Sequence, residues 1–353
     1  MVKLGQKFKT RPLSLDQYQR FINFNPLPQL MLPLAHRFYE PLMANHGPKV
    51  LLHRMAFYIL TESMDTALEL RVKFDQGIKL SKNEIDSLLE RSNLRHKLTN
   101  EFKQETLFLV WRTISLSEIP YSLHLDYTQK LINTVINKCG TSSGFSLTGN
   151  GENLLPCYNA ILIKAFCKLG LYKNQIVENG INWILKYQAF SRNFITEWDS
   201  EDIHKYGGCL NATPCYIGLT KSVIALHEFN KYKKDTLITD RIKQGIEYIL
   251  KHRLFRRLSN GEPISKHILD LYFPENYNIN ILELLLLLSE TDNLKDPNVS
   301  DSMENISRKK NKNLLWGADY VYKANGYISF DGKSKNADWV SYFLNKIESS
   351  YYS

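Results

Sequence analysis

The side chains able to do chemistry lie mainly between positions 139 and 339. The run Asp199-Ser200-Glu201-Asp202 sets three carboxyl groups within four residues. An acid cluster in a loop is most often simply solvated. Five cysteines stand at positions 139, 157, 167, 209 and 215. Cys209 and Cys215 are six apart, and with His204 or His252 they could hold a soft metal ion, since thiolate and imidazole suit such cations. Cys215 stands where a helix begins, and the positive helix end favours a thiolate. The spacing matches no standard zinc finger, and small buried cysteines are common in cores. Cys157 and Cys167 fit that second description. Aromatic residues are abundant, with 20 Tyr, 17 Phe and 5 Trp. Tyr158, Tyr206, Tyr216, Tyr272, Tyr277 and Trp316 fall at helix starts or in the loops before them, as do Phe145, Phe273, Tyr327 and Trp339. Gathered at one end of a fold, their faces would line an apolar pocket or steady a cation. Spread through the interior, they would only fill it. No HExxH, nucleotide-binding loop or Ser-His-Asp arrangement is present, so hydrolase and kinase chemistry has no support.

The elements that must position these residues show themselves through a repeat. Leu155-Pro156-Cys157-Tyr158 and Thr213-Pro214-Cys215-Tyr216 each open an apolar stretch, 58 residues apart. Each is followed by a second stretch, Val177 to Lys186 or Ile242 to Lys251, in which Gly180 matches Gly245, Ile181 matches Ile246, and Leu185-Lys186 matches Leu250-Lys251. Within a unit the first helix is apolar around most of its surface (Ile161, Leu162, Ile163, Ala165, Phe166), as befits a helix buried on most sides. The second carries one apolar stripe (Ile181, Ile184, Leu185) and turns its other face to water. The mid-helix Gly180 and Gly245 point to a close approach of inner and outer helices, because glycine there costs roughly 1 kcal/mol against alanine. Periodicity predicts helices over 104–117, 126–138, 156–170, 174–188, 214–230 and 236–252. A further pair starts near Pro274 and returns over 298–309, and a last helix starts near Asp338. No stretch alternates with period 2, so almost no sheet is expected. The expected fold class is all-α, an α/α toroid of inner and outer helices with an irregular helical N-terminal arm. Residues 1–103 would form the arm and first helices, and 104–353 the repeats, as one continuous body. Half of the 12 prolines lie in the first 48 residues, which suits a wrapping arm better than a regular array. Ser81 and Glu84 form a capping-box pattern at the start of a helix carrying Ile85, Leu88 and Leu89.

Composition narrows the remaining classes. The chain has 353 residues, 43% of them hydrophobic, and a net charge of +9, ordinary values for a soluble protein. The densest basic run, Arg308 to Lys312, reads as a solvated helix end. No zinc-knuckle or P-loop spacing supports a nucleic-acid partner. The longest apolar run, around Ile281 to Leu288, is interrupted by Glu283 and falls far short of the roughly 20 residues that span a bilayer. The first residues lack the apolar core of a signal peptide. With reduced thiols in interior settings, a cytoplasmic location is expected.

The units resemble the α/α-toroid superfamily of terpenoid cyclases and protein prenyltransferase β-subunits. The likeness rests on the inner and outer helix layout and on the outer-helix tail Trp183-Ile184-Leu185-Lys186-Tyr187-Gln188. More narrowly, residues from Tyr206 to Ile347 resemble uncharacterised prokaryotic prenyltransferase-like proteins, through Cys209 and Cys215, His252-Arg253-Leu254-Phe255, Tyr272-Phe273-Pro274 and Asp338-Trp339. The resemblance implies candidate roles. Family cyclases protonate substrate with an acidic motif at an inner-helix start, to which Asp199, Glu201 and Asp202 are similar, although they lie about a dozen residues before such a start. Prenyltransferases hold zinc with Asp, Cys and His. Cys215-Tyr216 occupies the place of their Cys-Tyr pair, but Thr213 stands where the Asp would be, and the His position falls near Pro274. Zinc or magnesium is the cofactor so implied. Two functions follow as expectations. One is an isoprenoid cyclase or transferase with an apolar substrate in a central aromatic-lined cavity. The other is a non-catalytic toroid scaffold that binds a lipid-like ligand, a peptide or a partner protein.

Overall fold

The runs of apolar residues on the first helix of each unit decide how these helices stack. A computed structural model describes residues 64–193, 196, 198 and 214–353. Residues 64–353 form one unit. Its described residues contain twelve α-helices and a single two-stranded hairpin, so the described part of the chain is all-α. The helices are α1 Thr66–Asp75, α2 Lys82–Arg91, α3 Asn93–Thr99, α4 Thr106–Ser117, α5 Asp126–Cys139, α6 Pro156–Lys168, α7 Gln175–Tyr187, α8 Tyr216–Lys233, α9 Thr236–Lys251, α10 Ile281–Glu290, α11 Ser300–Arg308 and α12 Asp338–Tyr352. The hairpin pairs β1 Gly140–Thr141 with β2 Gly144–Phe145. Most of the predicted N-terminal arm lies outside the described residues. None of the described helices is long and apolar enough to cross a membrane.

The two kinds of helix behave as their sequences require. In α6 eleven residues in succession, apart from Tyr158, are buried from Pro156 to Cys167. In α7 the buried set is Val177, Gly180, Ile181, Trp183 and Ile184, a single stripe. Helices α4, α6, α8 and α10 each pack against the next of these four, and α10 packs against α12. Helices α5, α7 and α9 lie against α4, α6 and α8 respectively. The predicted glycine approaches are present. A Cβ on Gly180 would meet Asn159 Oδ1 at 2.7 Å and Ile163 Cδ1 at 2.8 Å, and one on Gly245 would run into Val223. Ser81 and Glu84 form a complete capping box on α2.

Two departures are local. The helix expected from Pro274 begins instead at Ile281, because Asn280 takes the cap: its Oδ1 accepts from Glu283 N, and its Nδ2 donates to the Tyr272 carbonyl. Leu185, expected on the apolar stripe, is only half-buried. The C-terminal helix returns to α1. Tyr342 donates to Asp75 at 2.8 Å, and the Arg71 guanidinium lies 5.5 Å from the centre of the Phe343 ring. The segment between α11 and α12 reaches α4, where a Cβ on Gly326 (φ +88°) would sit 2.5 Å from the Phe108 carbonyl oxygen.

Candidate functional site

Helices buried on most sides should carry almost no charge, since an unpaired buried charge costs several kcal/mol. The inner helices break this rule together. Helix α6 carries Lys164 and Lys168, α8 carries Lys221, Glu228 and Lys231, and α10 carries Glu283 and Glu290. Arg71 and Asp75 come from α1, Glu118 caps the C-terminus of α4, and Glu275 lies in the loop before α10. Every one of these charges has a partner. Lys221, 1% exposed, donates to Glu275 at 2.8 Å and to Glu283 at 2.5 Å. Lys164 lies 2.9 Å from the second oxygen of Glu275. Lys168 donates to both oxygens of Glu118 at 2.7 Å, and Arg71 pairs with Asp75 at 3.1 Å. At the far end Lys231 joins Glu228 (2.8 Å) and Glu290 (2.7 Å), and His227 meets Glu290 at 3.0 Å.

The two central carboxyl groups are driven apart. Burial would raise Glu275, but Lys164 and Lys221 outweigh it and hold its carboxyl far below the usual range. Burial pushes Glu283 up to about 8, against the pull of Lys221 and with a further push from Glu275. The result is a carboxylate and a carboxylic acid to which the same ammonium, that of Lys221, donates. Such an acid can exchange a proton near neutrality. The same groups, with Tyr272, Phe273, Leu282, Leu286, Leu287 and Phe343, line a cavity of about 40 Å³. That is far below the roughly 300–1,000 Å³ of ligand pockets.

A second cluster lies at the N-terminal ends of the inner helices. The Tyr158 and Tyr277 rings are 5.7 Å apart. Trp111 of α4 lies 6.0 Å from Tyr158, 5.3 Å from Tyr322 and 6.4 Å from Tyr327. Trp111 and Tyr327 are buried, whereas Tyr158, Tyr277 and Tyr322 are half-buried. Of the six aromatics singled out from sequence, five lie among the described residues, and Tyr158 and Tyr277 are the pair that face each other here. Tyr216 is buried, and its hydroxyl donates to the Leu254 carbonyl at 2.6 Å. Tyr272 is buried beside the charged cavity and donates to the Asn278 carbonyl at 3.3 Å. Trp316 is fully buried, with its indole N–H on the Ile306 carbonyl at 2.7 Å and Lys310 over its ring. Tyr206, Asp199, Glu201, Asp202 and Cys209 lie outside the described residues. Cys215 is the half-buried N-cap of α8. His252, its suggested co-ligand, is buried with Nδ1 on the Arg256 carbonyl at 2.8 Å. Among the described residues no group of three or more His, Cys, Asp and Glu side chains is arranged to hold a metal ion.

The charged cluster escaped the sequence reading, yet a signal was there. Lys164, Lys221 and Glu283 each interrupt an otherwise apolar inner helix. A lone charge in such a helix must meet its opposite from a neighbour. Compared with protein-family models, with curated proteins and with solved structures, the chain matches none.

Proposed function

We propose that this chain is an α/α toroid that acts as a binding module, and that it holds a lipid-like ligand, a peptide or a partner protein at its aromatic end. The ring reading is supported by the succession α4, α6, α8, α10 and α12, each against the next, and by the return of α12 to α1 through Tyr342 and Asp75. The observation that carries the binding reading is the filling between the inner helices. Paired lysines and glutamates occupy it and leave about 40 Å³. A central hydrocarbon channel would have to displace those pairs and strand their charges, at several kcal/mol each. The half-buried rings of Tyr158, Tyr277 and Tyr322 group apolar faces with phenol oxygens, a combination suited to peptides and amphipathic ligands.

The second reading, an isoprenoid cyclase or transferase, is favoured by the same aromatic cluster, whose ring faces could steady a carbocation. One experiment separates the two. The purified chain is titrated with farnesyl and geranylgeranyl diphosphate, with and without magnesium or zinc, while intrinsic tryptophan fluorescence and pyrophosphate release are followed. Native mass spectrometry of the same preparation identifies any co-purifying ligand. Saturable quenching without pyrophosphate release, lost in Tyr158→Ala, supports the binding module. Metal-dependent pyrophosphate release overturns it in favour of the enzyme.

A further inference from the structure

Helix α5 carries two working faces. Thr128, Leu131, Val135 and Cys139 are buried, and the helix packs on α4. Gln129, Ile132, Asn133 and Ile136 recur at i, i+3, i+4 and i+7, and they line a groove of about 1,000 Å³. The opposite wall is α2, on which Lys82, Asp86, Leu89 and Glu90 share one face. The apolar floor is completed by Leu123 and Leu125 before α5 and by Leu171 after α6, all half-buried like Ile136. The groove has the size of about two helical turns, since a helix about 10 Å across occupies roughly 420 Å³ per turn. It lies where α4 and α6 end. Along α6 that is roughly 20 Å from Tyr158, at the other end of the helix.

The rim of this groove is acidic in a chain whose net charge is +9. Asp86 and Glu90 stand one turn apart on α2, and Asp126 lies across the groove in the first turn of α5. All three are exposed. Among the described residues no cation pairs with Glu90 or Asp126, and Asp86 meets only the His124 imidazole, at 3.4 Å. The guanidinium of Arg95 donates instead to the Leu89 and Glu90 carbonyls at the end of α2. Lys82, at the start of α2, is the one other cation of the lining. Carboxylates without cations, set around an apolar floor, complement a partner whose apolar residues are flanked by positive charge. We propose that this groove docks a basic amphipathic helix of a partner protein. Its apolar residues at i, i+3 and i+7 rest on Leu123, Ile136 and Leu171, and its lysine or arginine side chains reach Asp86, Glu90 and Asp126. A helix with acidic flanks meets like charge on both walls and is rejected. This surface stands apart from the aromatic end and does not depend on what binds there.

The test uses the full chain and two fluorescent peptides of about 14 residues, roughly 21 Å long as helices. Both have the same amphipathic pattern, one of leucine and lysine, the other of leucine and glutamate, and both carry a benzophenone cross-linker. Fluorescence anisotropy at low salt is expected to show saturable binding of the lysine peptide, at least about tenfold tighter than the glutamate peptide, and weakening as salt is added. The variant Asp86→Lys with Glu90→Lys changes two exposed side chains, and it is expected to shift that preference about tenfold toward the glutamate peptide. Ile136→Asp puts a charge in the floor and is expected to weaken both. Cross-links of the lysine peptide to the unaltered chain are expected within 82–90 and 123–136, and this mapping decides even where a variant fails to fold. Equal affinity for the two peptides, binding of neither, or a preference unmoved in a folded charge-reversed variant overturns the proposal. Cross-links confined to the surroundings of Tyr158 and Tyr277 also overturn it, while supporting the peptide reading of the aromatic end.

Discussion

Glu283 is the place where folding and protonation are most tightly tied. Its carboxyl has an ordinary value of 4.5 in the unfolded chain and about 8 in the folded one. Between these values the folded protein keeps a proton that the unfolded chain has released, so stability falls as pH rises from about 4.5 to about 8. It is fully present below the lower value and lost above the upper. Each pH unit in the window is worth about 1.36 kcal/mol, which puts the swing on the order of 3–5 kcal/mol. Glu275 acts in the opposite sense and in another window. Its carboxyl is held low, so its contribution is present above 4.5 and lost only in stronger acid. The perturbation is Glu283→Gln, which keeps a similar shape and stays neutral at every pH. Stability of the two proteins would be measured by urea denaturation at half-unit steps from pH 5 to 9, followed by circular dichroism. The expected result is a difference that moves steadily in favour of glutamine as pH rises, by a few kcal/mol in total. A difference that stays within about 0.5 kcal/mol across the range, or moves in favour of glutamate, would refute the proton-sharing pair. Taking the difference between the proteins also cancels His252, whose burial lowers its pKa below the ordinary 6.5 and makes stability rise with pH on the acid side of that value.

Lys221→Met should destabilise the fold by about 3–5 kcal/mol, the cost of breaking a buried pair from one side. The double variant Lys221→Met with Glu283→Leu should recover a substantial part of that in the same denaturant melts, and no recovery would mean that the pair is not coupled. Leu226→Ala should cost about 2–5 kcal/mol, since Leu226 is fully buried on α8, and a loss within measurement error would place α8 elsewhere. Gly326→Ala should cost about 2–5 kcal/mol, from a left-handed backbone and a Cβ forced onto the Phe108 backbone. Calorimetry showing an unchanged melting temperature would contradict that approach.

Much of the helical plan could be read from residues alone. The matched Gly180 and Gly245 and the contrast between α6 and α7 are local features, visible in windows of a dozen residues. The Ser81 capping box is another. The start of α10 was misplaced because Pro274 looks like a helix opener, while Asn280 wins by satisfying two backbone groups at once. The charged cluster is different in kind. Lys221 finds Glu275 54 residues away and Glu283 62 away, and no local pattern says which lysine meets which glutamate. Aromatic residues misled for a related reason. Trp316 and Tyr216 stand at loop–helix junctions like Tyr158 and Tyr277. Their polar atoms found carbonyls inside the fold, and only the three-dimensional packing separates an anchor from a surface.

The bond from Tyr342 to Asp75 spans 267 residues, which gives the unit an order of assembly in time. A ribosome adding roughly 5–20 residues per second delivers α12 some tens of seconds after α1. Through that interval Asp75 has Arg71, one turn away, as its only early partner in the final set. The Tyr342, Lys346 and Phe343 side chains that finish the seam arrive after every other inner helix has been made. Contacts of such long range form late and slow folding. The seam therefore closes last, onto a helix α1 that packs against its early neighbours α2 and α3.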